Sequence, residues 1–260
     1  IIYISILAFI IAYVEMTYLT EYRWLANLNT VYSLVGFVIS LLLVFRTNTA
    51  YDRWWEGRKQ WGGLINDSRN LAVKLNILNL EVEDKEFFKR MVANFAFATK
   101  DHLVDGAVMD KLDLTDYERM RIEEVNHIPV GIVELIYEQV GDLRKRKVIS
   151  PEDYLTIDKN LNSFIAMVGA CERIKNTPIP FSYSLFIKKF IFFYTATLPV
   201  AFVGILGYFS VLVTAFVFYV LVSMEVLAEE IEEPFGTDDN DLPTEEIAQK
   251  IKENVSKILR

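Results

Sequence analysis

Hydrophobic positions divide the chain into two kinds of segment. Four long apolar runs carry very little charge, and they cover residues 1–19, 31–45, 180–204 and 205–228. A membrane-spanning helix needs roughly 20 such residues, so the second run must include its next turn to cross a bilayer. The pattern predicts four transmembrane helices. The first is interpreted as the remainder of such a helix, and the last two are expected to form a tight hairpin at 204–207.

The second apolar run does not end where a membrane helix normally ends. Helical periodicity continues through Arg46, Arg53 and Arg58, and no proline interrupts it before Gly62. We therefore predict that one helix continues from the bilayer into water.

The central region has the pattern of amphipathic helices. Apolar residues recur at spacings of three and four over residues 85–103, 116–126, 129–147 and 151–176. The last of these begins with Ser150-Pro151-Glu152-Asp153, in which serine can cap, proline fits the first helical position and the carboxylates suit the positive end of the helix dipole. The predicted fold class is all-α.

This pattern predicts four consecutive regions. Residues 1–61 hold the first two transmembrane helices, residues 62–178 a cytosolic helical region, residues 179–231 the last two transmembrane helices, and residues 232–260 an acidic loop and a C-terminal cytosolic helix. A composition of 52% apolar and 24% charged residues agrees with a membrane half and a water-exposed half.

Charge indicates orientation and excludes one class of partner. A net charge of −8 argues against nucleic acid, which needs a basic surface. Basic residues flank the second and third apolar runs, whereas the two links between paired runs hold only Arg23. The positive-inside rule then predicts a multi-pass cell-membrane protein with both termini in the cytosol.

Catalysis is not expected. A lone Cys171 excludes an intrachain disulfide, and the only two histidines, His102 and His127, fall on separate predicted helices, so we expect no transition-metal cluster. Glu15 and Glu225 are the only carboxylates at membrane depth, too few for most chemistries. No catalytic residue is predicted; a membrane enzyme or a non-conducting scaffold remains the alternative class.

One face of the second helix is a candidate functional surface. Phe37, Leu41 and Phe45 recur every four residues and therefore lie along one side of a helix. This spacing fits lipid contact or helix packing. Lipid contact or packing is the more common reason for such a face, and the alternative is a hydrophobic constriction formed by several copies of the helix around an axis.

Three separated segments resemble the bestrophin family, in its bacterial branch. They are 45–61 with Arg53-Trp54-Trp55, 171–180, and Pro234-Phe235-Gly236 with the acidic residues that follow it. The resemblance implies a homopentamer in a lipid bilayer, in which five second helices line a central pore for passive flow of monovalent ions. It also implies that Phe37, Leu41 and Phe45 form the hydrophobic neck of that pore.

The resemblance further implies a cytosolic aperture near the start of the helix at Pro151. One register places Glu152 there and another places Leu155. A ring of glutamates would favour cations, whereas a leucine ring would act by size and dewetting. The alternative for Glu152 is a first-turn carboxylate that balances the helix dipole. With the acidic composition, we expect small cations such as sodium, and chloride or other anions are the alternative.

The acidic loop is a candidate calcium site. In animal bestrophins the matching loop forms a calcium clasp, and Asp238 and Asp241 offer the hard oxygen ligands that calcium takes. Glutamates precede Pro234 here, and the loop does not fit the EF-hand pattern. The alternative is a plain turn, in which Pro234 ends a helix and Gly236 reverses the chain.

The aromatic and arginine motif has a structural interpretation. Tryptophan near an interface usually anchors, and arginine beyond a span usually pairs with a carboxylate or snorkels. We expect Arg53, Trp54 and Trp55 to hold the second helix against neighbouring helices and the acidic loop. Their substitution should damage assembly before selectivity.

Overall fold

A computed structural model describes residues 1–18, 28–104 and 109–260, which fold as α-helices joined by short links. The all-α prediction is confirmed, since these residues contain no β-strand. The α-helices are α1 (Ile2–Tyr18), α2 (Leu28–Asn76), α3 (Val82–Val104), α4 (Asp116–Val125), α5 (Ile128–Lys145), α6 (Pro151–Asn176), α7 (Phe181–Leu206), α8 (Phe209–Glu232) and α9 (Thr244–Ile258), with a 3₁₀ turn at Met109–Lys111.

The second helix is long and unbroken, as its periodicity predicts. α2 runs for 49 residues from Leu28 to Asn76. It contains glycines but no proline, so no backbone N–H is missing from its hydrogen-bond ladder. The arginine-rich stretch that follows the apolar run is therefore helical throughout.

Two helices of the central region begin with reciprocal caps. Ser150 accepts a hydrogen bond from the Asp153 N–H, and the Asp153 carboxylate accepts one from the Ser150 N–H at the start of α6. Thr115 and Glu118 form the same arrangement at the start of α4. Each cap satisfies backbone donors that the first helical turn leaves open, which explains why both helices start at these residues.

Residues 1–52 and 178–232 form one compact unit. In it, α1 packs against α7 and α8, and α7 packs against α8. The buried face of α2 presents Ile39 and Leu43 to a cluster that contains Ile187, Ile191 and Leu221. Much of the remaining apolar surface is exposed, as expected of helices that contact lipid.

Within the described residues, three helices of this unit are long and apolar enough to cross a membrane: α2, α7 and α8. The fourth predicted span, α1, is apolar but has 17 residues. The predicted hairpin lies where α7 ends at Leu206 and α8 begins at Phe209, and Gly207 adopts a positive φ of 55° in the turn.

Residues 53–177 and 233–260 form a second compact unit. Its central helix, α3, packs against α5, α6 and α9, and α4 packs against α5. Large apolar side chains fill the core, among them Trp61, Phe88, Phe95 and Phe164. Phe95 and Phe164 stack with ring centroids 4.9 Å apart. These buried side chains form one continuous hydrophobic core.

Candidate pore-lining face and its supports

The predicted neck residues form an exposed apolar stripe on α2. Phe37 is 65% exposed, Leu41 44% and Phe45 56%. In a single chain, such a stripe leaves large apolar side chains uncovered, which soluble surfaces avoid. The stripe therefore needs lipid, or other copies of the chain, to cover it.

The opposite face of α2 fixes the direction in which the stripe points. Ile39 and Leu43 are buried on it, and Gly36 lets Tyr194 of α7 approach closely. A Cβ at Gly36 would lie 2.6 Å from the Tyr194 hydroxyl oxygen, closer than atoms can pack. The helix cannot rotate about its axis without breaking these contacts, so the Phe37, Leu41 and Phe45 side chains stay on the uncovered side.

A buried ion pair adds to this packing one turn beyond Leu43. The Arg46 side chain is 1% exposed, and its Nη2 donates to the Glu232 carboxylate at 2.6 Å. Its Nε lies 3.9 Å from the Glu225 carboxylate. Arg46 is one of the basic residues that follow the second apolar run, and its burial against two carboxylates makes it a packing residue. Periodicity could not show this because the partners lie about 180 residues away.

The two candidate aperture residues lie near the start of α6. Glu152 and Leu155 are both exposed, and Leu155 has an exposed fraction of 67%. The carboxylate that caps this helix belongs to Asp153, whose pKa is lowered by the hydrogen bond from the Ser150 hydroxyl and then by that from its N–H. Capping therefore does not require Glu152.

The arginine and tryptophan motif contacts two other segments of its unit. Arg53 donates hydrogen bonds to the carbonyl oxygens of Thr177 and Ile174, at the C-terminal end of α6. A cation is favourable there because the last carbonyls of a helix carry partial negative charge. Trp54 Nε1 donates to the Asn240 carbonyl at 3.0 Å, whereas Trp55 is 46% exposed.

The third signature segment packs against α2. Phe235 is buried, and its ring faces Gly57, where an added Cβ would lie 3.1 Å from the Phe235 ring and 3.2 Å from Leu242. Pro234, also buried, comes two residues after the end of α8. A glycine at position 57 thus allows the segment to lie directly on the helix.

The acidic loop uses its own carboxylate to close a turn. Asp241 Oδ2 accepts from the Asp238 N–H at 2.6 Å, and the Asp241 N–H donates to the Asp238 carbonyl. Calcium takes six to eight oxygen ligands. Across the described ranges, the acidic loop does not bring three carboxylates within metal-binding distance of one another. Calcium also takes backbone carbonyl oxygens, so a calcium site at Asp238 and Asp241 stays a prediction.

The two histidines do form a cluster, which corrects the expectation from their separate helices. His102, near the end of α3, and His127, the N-cap of α5, both place Nε2 on the same oxygen of Glu172 in α6, at 2.7 and 2.8 Å. Burial raises the pKa of Glu172, but the hydrogen bonds from His127 and His102 outweigh it and leave the pKa below its usual range. Glu172 belongs to the 171–180 segment, which was its only sequence signal.

Comparisons with known proteins agree with the helical architecture. The sequence profile of the family described as "Bacterial/Fungal Bestrophin protein" matches residues 1–257. A voltage-dependent anion channel-forming protein of Nostoc is 36% identical over 225 residues, covering 84% of this chain and 73% of the relative. A protein of the same description from Ralstonia nicotianae is 33% identical over 264 residues, which cover 97% of this chain and 85% of the relative.

Solved structures give the same result. A crystal structure of a bacterial bestrophin homologue from Klebsiella pneumoniae, with a single mutation, superposes with a TM-score of 0.88 at 29% identity and covers 99% of this chain and 98% of its own. The profile, the relatives and the fold therefore agree, and the chain belongs to the bacterial and fungal bestrophin family, whose members are membrane ion channels and not enzymes.

Proposed function

We propose that this chain is one subunit of a channel that conducts small anions, chloride among them, passively through a pore lined by α2. The observation that carries the proposal is the exposed stripe of Phe37, Leu41 and Phe45 on a helix whose opposite face is held by close packing.

The stripe would act as the neck of the pore. When copies of α2 surround an axis, each of the three side chains forms an apolar ring, and a narrow apolar ring excludes water and raises the cost of ion passage. Small changes in ring diameter then open or close the path. Neither nucleotide nor proton transfer is required for such gating.

Anions are favoured over the cations that the acidic composition suggested. The relatives from Nostoc and Ralstonia nicotianae are described as anion channel-forming proteins. A net charge of −8 belongs to the whole surface and does not measure the field inside a pore. The edge of a phenylalanine ring is electropositive, so rings that turn their edges to the axis favour anions.

Five copies are the proposed stoichiometry, as the family resemblance implies, with both termini on the cytosolic side. The start of α6, with Glu152 or Leu155, is the proposed second constriction. Support comes from the exposure of both side chains, since a residue facing a pore is uncovered in a single chain. Native mass spectrometry of the detergent-solubilised protein would give the subunit number.

Purified protein in a planar bilayer tests the proposal. Under a gradient of sodium chloride, we expect a current that reverses near the chloride equilibrium potential. Reversal near the sodium potential would restore the cation interpretation and would point to a Glu152 ring, which Glu152→Gln should then weaken. Absence of current from pentamers of intact protein would reject the channel.

A further inference from the structure

Three side chains from distant parts of the second unit converge on one point. His102 lies in α3, His127 precedes α5, and Glu172 lies in α6. Both Nε2 atoms contact Glu172 Oε1, and the two imidazole rings lie 4.5 Å apart between centroids. All three donor atoms fall within 4.8 Å of one another. These are the only histidines of the chain, so their meeting at one carboxylate is informative.

We propose that His102, His127 and Glu172 bind a divalent transition-metal ion of the zinc class. Imidazole nitrogens and a carboxylate oxygen are ligands that zinc takes, and sites with three protein ligands leave a fourth position for water or another molecule. The proposal does not depend on whether the protein conducts anions or cations.

The distances are close to those that a metal needs. Zinc lies about 2.0–2.1 Å from such ligands, so ligand atoms around a tetrahedral ion are about 3.3 Å apart. The observed nitrogen to oxygen separations are 2.7 and 2.8 Å. An opening of about half an ångström at each pair would admit the ion, and side-chain rotation can supply that without movement of the helices.

The cluster is accessible from solvent. The side chains of His102 and His127 are each 28% exposed and that of Glu172 is 30% exposed. A cavity of about 340 Å³ borders both histidines, and Glu123 and Asn126 also line it. An ion can therefore enter through the cavity and keep a water molecule in its fourth position.

Metal binding would change the cap of α5. The Val130 N–H donates to His127 Nδ1 at 3.3 Å, so His127 carries its proton on Nε2 when it is neutral. A metal at Nε2 displaces that proton to Nδ1, which then no longer accepts from Val130. The 3.3 Å hydrogen bond is long, so its loss is a small cost against metal coordination.

The alternative is that Glu172 only links two histidines by hydrogen bonds. Replacement of His102 or His127 by glutamine separates the two possibilities. A glutamine amide can still donate a hydrogen bond to Glu172, but it is a poor zinc ligand. Cys171, next to Glu172, does not confuse the measurement, since its sulfur is buried and lies 3.7 Å from the sulfur of Met167.

Isothermal titration of full-length, chelator-treated protein with zinc chloride is the test. We expect one ion per chain and at least a tenfold weaker affinity in His102→Gln, His127→Gln and Glu172→Gln. Glu123→Gln, which lines the same cavity, is the matched control and should keep the wild-type affinity. X-ray absorption at the zinc edge should report two imidazole ligands, and zinc should raise the apparent Tm of the wild type but not of His102→Gln.

Two results would overturn the proposal: no zinc binding by the wild type, or equal binding by the wild type and the three glutamine variants. Melting curves of the wild type and the variants, recorded without metal, show whether a variant has lost a metal ligand or has lost its fold. A His102→Gln variant that melts like metal-free wild type and still binds zinc as tightly would reject His102 as a ligand. Because binding is measured without current, a failed channel assay would leave this result intact.

Discussion

Arg46 and Glu232 form a buried salt bridge in the unit of residues 1–52 and 178–232. The Arg46 Nη2 atom lies 2.6 Å from the Glu232 carboxylate oxygen. One partner lies directly after the exposed Phe37, Leu41 and Phe45 stripe on α2, and the other is the last residue of α8. The pair therefore connects the end of the exposed α2 stripe to the end of the hairpin formed by α7 and α8.

Removing one partner of this pair should be strongly destabilising. Arg46→Ala removes the guanidinium group that faces Glu232, and breaking a buried pair typically costs about 3–5 kcal/mol. Thermal melting of the protein in detergent would measure the loss. Lys188→Ala is the control, because Lys188 and Glu229 are both about half exposed and such pairs contribute about 0–1 kcal/mol. Equal losses in the two variants would contradict the assigned importance of burial.

Shortening the neck residues should increase ion flow. Phe37→Ala widens an apolar ring and allows water to occupy it, so single-channel conductance or open probability should rise several-fold. Phe216→Ala, on α8, is the matched control, since Phe216 is 67% exposed, close to the 65% of Phe37. If both substitutions left the current unchanged, the stripe would be a lipid-facing surface and not a neck.

Stability should depend on the ionisation of Glu118. Arg90 donates two hydrogen bonds to this carboxylate, at 2.8 and 2.9 Å. Burial raises the pKa of Glu118, but the bonds from Arg90 and Thr115 lower it by more, so the folded-state pKa lies below the ordinary value of 4.5. A depressed folded pKa contributes stability in full above the unfolded pKa and loses it as the pH falls through the folded pKa.

Glu118→Gln should therefore lower the stability at pH 7 by about 1.5–3 kcal/mol, the range for hydrogen bonds to a charged group. The difference from wild type should shrink below about pH 4.5 as the wild-type carboxylate gains its proton. Chemical denaturation of both proteins at several pH values would measure this difference in the free energy of unfolding. Glu123→Gln, at a more exposed position of α4, should show little difference at any pH.

Two glycines of α2 should respond in opposite ways to alanine. Gly57→Ala places a Cβ 3.1–3.2 Å from Phe235 and Leu242, and overpacking of this kind typically costs about 1–3 kcal/mol. Gly63 has open space around it, so Gly63→Ala should stabilise the helix by up to about 1 kcal/mol. Melting temperatures would test the pair; a stabilising Gly57→Ala would show that the Phe235 segment does not lie on α2.

Local pattern was sufficient for the helices and for the neck candidates. The unbroken α2 follows from periodicity without proline, and the start of α6 follows from the Ser150 and Asp153 cap, because both depend on neighbours within four residues. The order of Phe37, Leu41 and Phe45 along one face likewise needs only the helical repeat.

The sequence by itself determined which segments are helical, which are apolar enough for a membrane, and which α2 side chains share a face. Tertiary structure alone decided that Arg46 is buried against Glu232 and that His102, His127 and Glu172 meet. Helical periodicity is a local property, whereas these contacts join residues 45 to 186 positions apart. Their partners are selected by the packing of whole helices, and no spacing within a single helix encodes that choice.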